Sequence, residues 1–156
     1  EDLVILNCMY RPGPMEYIST LVRQKHSKKA VKYIIPCMEK YLHNTYGIIV
    51  YQEQIMMLSR LIANFDRGES DLLRKALGKR KMDVLSVLKL RFIQGGIKNG
   101  HKKNALEKVW NEMEAKGMYA FQKSHAVCYT WLAYQIAYLK ANYPDEFKQA
   151  LEKYSD

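Results

Sequence analysis

The sequence is short of cysteine, of paired acids and of long apolar runs, and each shortage removes a class of protein. Cys8, Cys37 and Cys128 are odd in number and widely spaced, so they suit neither a disulfide framework nor a zinc site. A reducing compartment, the cytoplasm, is the expectation. No apolar run approaches the roughly 20 residues of a membrane-spanning helix. The first ten residues lack the basic region and cleavage site of a signal peptide; they resemble the tail of an amphipathic helix, as in a fragment of something larger. Two-metal phosphoryl transfer needs carboxylates brought together on a rigid element. Here no Asp-x-Asp occurs, and Glu112 and Glu114 point apart on a helix. His26, His43, His101 and His125 show no ligand spacing. No catalytic residue and no metal ligand is therefore expected within these 156 residues.

Acids are also outnumbered. With 25 Lys and Arg against 16 Asp and Glu, the chain carries a net charge of +9. That excess points to nucleic acid or another polyphosphate as the partner.

Helical periodicity is abundant, whereas strand alternation and internal repeats are missing, so the expected fold class is all-α, one domain spanning 1–156. Prolines at Arg11-Pro-Gly-Pro14 end a first helix, and Pro14 opens a second with Met15, Ile18, Leu21 and Val22 as its stripe. Tyr51–Asn64 places Ile55, Leu58 and Ile62 at core spacing. Met82–Lys98 repeats the pattern through Leu85, Leu88 and Phe92, and Asn99-Gly100 stops it. Lys103–Lys116 aligns Leu106, Val109, Trp110 and Met113, with Gly117 as its cap. Ser124 is expected to cap a long helix to about Asn142. That helix is apolar nearly all round (Val127, Cys128, Trp131, Leu132, Ile136, Leu139), which predicts a central buried helix near the C-terminus. Pro144 then opens a last helix to Tyr154.

Three stretches are candidates for chemistry. In 66–81, Leu72, Leu73, Ala76 and Leu77 share a face, Asp66 and Glu69 form a capping box, and Gly78 is placed to end the helix. Arg74, Lys75, Lys79, Arg80 and Lys81 follow without an intervening acid, either as a solvated charged face or as a polyanion site. The run is not a P-loop, because Gly78-Lys79 lacks the upstream glycine and the following Ser or Thr. In 121–125, Lys123, Ser124 and His125 stand at a helix start, which is either a phosphate pocket or an ordinary N-cap. In 46–54, Tyr51 and Gln52 could stack on and hydrogen-bond a base, or the aromatic could belong to the core.

These motifs carry a family resemblance. Tyr10-Arg-Pro-Gly-Pro14, Tyr46-Gly-Ile-Ile-Val-Tyr-Gln-Glu-Gln54, Gly68-Glu-x-Asp-Leu-Leu-Arg74 through Lys81, Lys123-Ser-His-Ala126 and Ala133-Tyr-Gln-x-Ala-Tyr-Leu-Lys-Ala-x-Tyr-Pro144 occur in the order seen in bacterial replicative DNA polymerase III alpha subunits. The resemblance covers nearly the whole chain. It implies a helical fingers lobe following a palm that holds the catalytic aspartates and Mg2+. In that setting Arg74, Lys75, Lys79, Arg80, Lys81, Lys123, Ser124 and His125 would meet the nucleotide triphosphate, and Arg11, Tyr51 and Gln52 the template or nucleotide. Lys75 stands where arginine is usual, which loses a bidentate fork but keeps the charge. The implied partners are template–primer DNA, deoxynucleoside triphosphates and the other replicase domains and subunits, with no membrane. A free-standing basic helical module that binds nucleic acid without catalysis is the rival reading.

Overall fold

The computed structural model describes residues 1–154, and the described residues form nine α-helices and no strand. They are α1 (Asp2–Met9), α2 (Ile18–His26), α3 (Glu39–Leu42), α4 (Gln52–Ala63), α5 (Arg67–Gly78), α6 (Met82–Lys98), α7 (Lys103–Gly117), α8 (Lys123–Asn142) and α9 (Pro144–Tyr154). Short 3-10 turns start at Pro14, Pro36 and His43.

The main core lies among α4–α7, where the periodic residues do what their spacing predicts. Ile55, Leu58, Ile62, Leu73, Phe92, Leu106, Val109 and Trp110 are all essentially inaccessible. Burying each such side chain contributes roughly 1.5–3 kcal/mol. Phe92 joins the layers, its ring 6.0 Å from Phe65 and 5.6 Å from Trp110. The capping box forms as expected: the Glu69 N–H donates to Asp66 Oδ1 at 2.7 Å and the Asp66 N–H to Glu69 Oε2 at 2.9 Å. A second cluster joins Ile5, Cys8 and Met9 of α1 with Leu21, Ile48, Val50, Tyr51 and Ala126. The extended segment 48–51 divides the two, with Ile49 facing the main core and its neighbours the second.

Several expectations need correction. The long C-terminal helix is not buried: along α8 only Ala126 and Thr130 are inaccessible, while Trp131 is 65% exposed and Leu132, Ile136 and Leu139 lie open. Its main helix contacts are with α1 and α9, so apolarity all round did not mean cover all round. Cys128 is accordingly exposed. On α2 only Leu21 is buried, and Met15 and Val22 face outward. Leu72 is 46% exposed, leaving Leu73, Ala76 and Leu77 as the anchors of α5. Gly78 is the last residue of α5 and does not take the left-handed conformation; Arg80 does, with φ of 50°. Gly117 likewise ends α7 inside the helix, pressed against Leu77, and Met118 follows it.

Candidate nucleotide and nucleic-acid interface

Two distant motifs meet in a single backbone bridge. The Phe121 N–H donates to the Val50 carbonyl and the Gln52 N–H to the Phe121 carbonyl, each at 2.9 Å. Gln54 stiffens one side of the bridge. Its buried amide oxygen accepts from the Val50 and Tyr51 N–H groups at 2.8 and 2.9 Å, and its NH2 donates to Thr45 Oγ1 and the Tyr41 carbonyl. One side chain thus satisfies four backbone or hydroxyl groups that would otherwise be costly to bury.

Candidate residues gather around this bridge. Tyr51 is buried, which pushes its phenol well above the ordinary value, and the Lys123 ammonium sits 5.5 Å from its ring centre. Its ring is therefore a wall of the site, beside a cleft of about 140 Å³ shared with Asn44, Met57 and Lys123. Gln52 is half-buried, with its side-chain oxygen 3.4 Å from Arg74 Nη1. Arg74 comes from α5, fixed there by Leu73 and Leu77. Asp71 Oδ1 accepts from Arg74 Nε and Nη2 at 2.9 and 2.8 Å, and Asp71 Oδ2 lies 2.7 Å from Lys75 Nζ. These contacts, that of Lys75 first, hold the Asp71 carboxyl below the usual carboxylate value.

Arg11 reaches the same place from the first loop. It donates to the Cys8 and Tyr119 carbonyls, and its guanidinium lies 4.7 Å from the Phe121 ring centre. Gly13 makes that loop possible: its φ is 95°, and a Cβ there would stand 2.5 Å from the Tyr119 ring. Lys79, Arg80 and Lys81 form the exposed α5–α6 turn, with Arg80 in contact with Met118 and lining a cleft of about 440 Å³. Lys79 and Lys81 make no ion pair among the described residues.

At the head of α8 the geometry departs from expectation. Ser124 is not the cap: Gln122 holds that position without a side-chain bond, and Ser124 is exposed. The Lys123 N–H donates instead to both carboxylate oxygens of Glu53, at 3.1 Å each. An internal anion already meets that amide, while the Lys123 ammonium, over the Tyr51 ring, makes no ion pair among the described residues. His125 is exposed, its ring 5.4 Å from Phe121 and stacked 6.1 Å from Tyr129. Asp71 and Glu53 thus join the site, although neither carries the positive charge by which most of its other members stand out. The spacing of Asp71 from Arg74 and Lys75 (three and four residues) was a usable signal, whereas nothing local connects Glu53 with Lys123.

Among the described residues no three His, Cys, Asp or Glu side chains come together to hold a metal ion. Asp71 has both oxygens engaged by cations. The residues present therefore do not fit a Mg2+ site. What the arrangement can do is present ion-paired and exposed cations, a buried aromatic wall and hydrogen-bonding groups to an anionic ligand.

Residues 1–100 match the family model of the bacterial DNA polymerase III alpha subunit finger domain. The chain is 43% identical over 149 residues to the DNA polymerase III subunit alpha of Aquifex aeolicus, an alignment covering 94% of the chain and 13% of the relative. It is 45% identical over 150 residues to that of Treponema pallidum, covering 96% of the chain and 13% of the relative. With that of Thermus aquaticus it shares 44% over 156 residues, covering 97% and 13%. The chain therefore spans about 13% of the length of these relatives. With four of its motifs drawn together around one backbone bridge, the chain belongs to the finger-domain family of bacterial DNA polymerase III alpha subunits.

Proposed function

We propose that residues 1–156 act as one helical fingers lobe of a bacterial replicative DNA polymerase, closing over the incoming deoxynucleoside triphosphate and the template–primer. The observation that carries this reading is the convergence of Arg11, Gln52, Arg74 and Lys123 on the Tyr51–Phe121 bridge. In this reading Arg74, Lys75 and Lys123 neutralise the triphosphate through their side chains, and Lys79, Arg80, Lys81, Ser124 and His125 border it. Arg11, Tyr51 and Gln52 shape the floor on which base and template rest. The metal-binding carboxylates and Mg2+ belong to a palm outside these residues, and the whole enzyme is a DNA-directed DNA polymerase working in the cytoplasm with other replicase subunits.

Kinetics of the full-length polymerase test the assignment. Arg74→Ala and Lys123→Ala each remove a charge-assisted contact, so the nucleotide KM should rise, or kcat fall, by roughly ten- to a hundredfold. DNA affinity should change little, and neutralising Lys28 and Lys29 should leave nucleotide kinetics near wild type. Loss of DNA binding with nucleotide dependence spared would move these residues to the template track.

A further inference from the structure

The acid beside the two cations has a geometry that bears on their use. Arg74 and Lys75 are adjacent and alike in charge, so alone they would repel and sample many rotamers. One carboxylate resolves this: Asp71 Oδ1 takes the Nε and Nη2 edge of Arg74, and Oδ2 takes Lys75 Nζ. The remaining nitrogen, Nη1, turns toward Gln52 Oε1 on α4 at 3.4 Å. The guanidinium is thus approached from two elements, one edge by α5 and another by the start of α4. Its backbone is equally fixed, since Leu73, Ala76 and Leu77 are 0–3% exposed. The Arg74 and Asp71 side chains are themselves about one-third exposed, at 30% and 35%, so both remain open to a ligand from solvent.

We infer that Asp71 is a positioning residue, which orders Arg74 and Lys75 before the triphosphate arrives and lets Gln52 complete the alignment. The inference rests on the proposed triphosphate role of Arg74. Its physical content is pre-organisation: a side chain already held in its bound rotamer loses less freedom on binding. Plain charge counting gives the opposite sign. Removing Asp71 raises the net charge by one above +9, which by itself would attract a triphosphate more strongly. The direction of the effect therefore separates ordering from charge.

The experiment uses the full-length polymerase and the deoxynucleoside triphosphate complementary to the template. Asp71→Ala should raise the nucleotide KM about two- to tenfold, the scale of one side chain left unordered, with a smaller change in kcat. Asp71→Glu reaches the same two cations by one more methylene and should recover most of the loss. Asp71→Asn keeps an acceptor for Arg74 but none for Lys75 and should fall between. In Arg74→Ala, adding Asp71→Ala should cost less than it does in wild type, because much of what it ordered is gone. A KM that falls or stays level in Asp71→Ala and Asp71→Asn, while Arg74→Ala raises it, overturns the positioning role alone. If Arg74→Ala leaves nucleotide kinetics unchanged, the triphosphate reading falls and this inference with it.

Discussion

The Glu53 carboxylate and the Lys123 backbone N–H are 70 positions apart in sequence, yet both carboxylate oxygens accept from that amide at 3.1 Å. The first residue of α8 is thereby tied to the first turn of α4, and a negative group faces the positive end of the longer helix. Replacing Glu53 with Ala should destabilise the chain by about 0.5–2 kcal/mol, the range for loss of a helix cap. Urea unfolding followed by circular dichroism measures it, and an unchanged midpoint would show that the contact contributes nothing to stability.

Gly95 sits where α6 crosses the end of α4, and a Cβ there would stand 2.2 Å from the Ala63 carbonyl oxygen. Backbone cannot step aside as a side chain can. Gly95→Ala should therefore cost roughly 1–3 kcal/mol or more through overpacking. Gly78 offers the contrast, since nothing lies within 4 Å of its added Cβ and its φ is not positive. Gly78→Ala should stabilise by about 0.5–1 kcal/mol. The two urea midpoints should move in opposite directions.

Burial pushes the Cys8 thiol up to about 11, whereas Cys128 lies exposed on α8. At pH 8 roughly one Cys8 in a thousand is thiolate in the folded chain, so a thiol reagent should label Cys128 and spare Cys8 until the chain unfolds. The pH dependence follows from linkage. The folded state keeps the Cys8 proton to higher pH than the unfolded state, whose thiol has the ordinary value of 9.0. Its contribution to stability is present below pH 9 and is lost as pH rises toward 11. Unfolding midpoints of wild type and Cys8→Ala should draw together between pH 8 and pH 10.5, and equal slopes for the two would contradict this.

The helices α4–α7 were legible because each pairs a clear apolar stripe with polar faces, and the Asp66–Glu69 box marked where α5 begins. The C-terminal helix α9 was legible from Pro144. By contrast α8 misled: apolar residues on every side carry no phase, so the sequence did not say which face met α1. The basic cluster is visible as charge, whereas Asp71, one helical turn before Arg74, carries the opposite sign and does not stand out until its oxygens are seen on Arg74 and Lys75. Gln54 and Glu53 stood inside a recognised motif, but their partners at Thr45, Tyr41 and Lys123 exist only once the chain has folded back.

The extended segment between the two cores has a parity. Ile49 packs into the α4–α7 core, while Ile48 and Val50 pack into the cluster with α1, as successive side chains of extended backbone face opposite ways; the alternation ends at Tyr51, which caps α4 and joins the second cluster. Inserting or deleting one residue here would send each of the three to the wrong side. It would also shift Gln52 and Glu53 by one place against Phe121 and Lys123, undoing the bridge and the α8 cap together. Length at this crossing is consequently constrained as tightly as composition: a conservative swap of one branched aliphatic residue for another leaves the parity intact, and a single-codon indel does not.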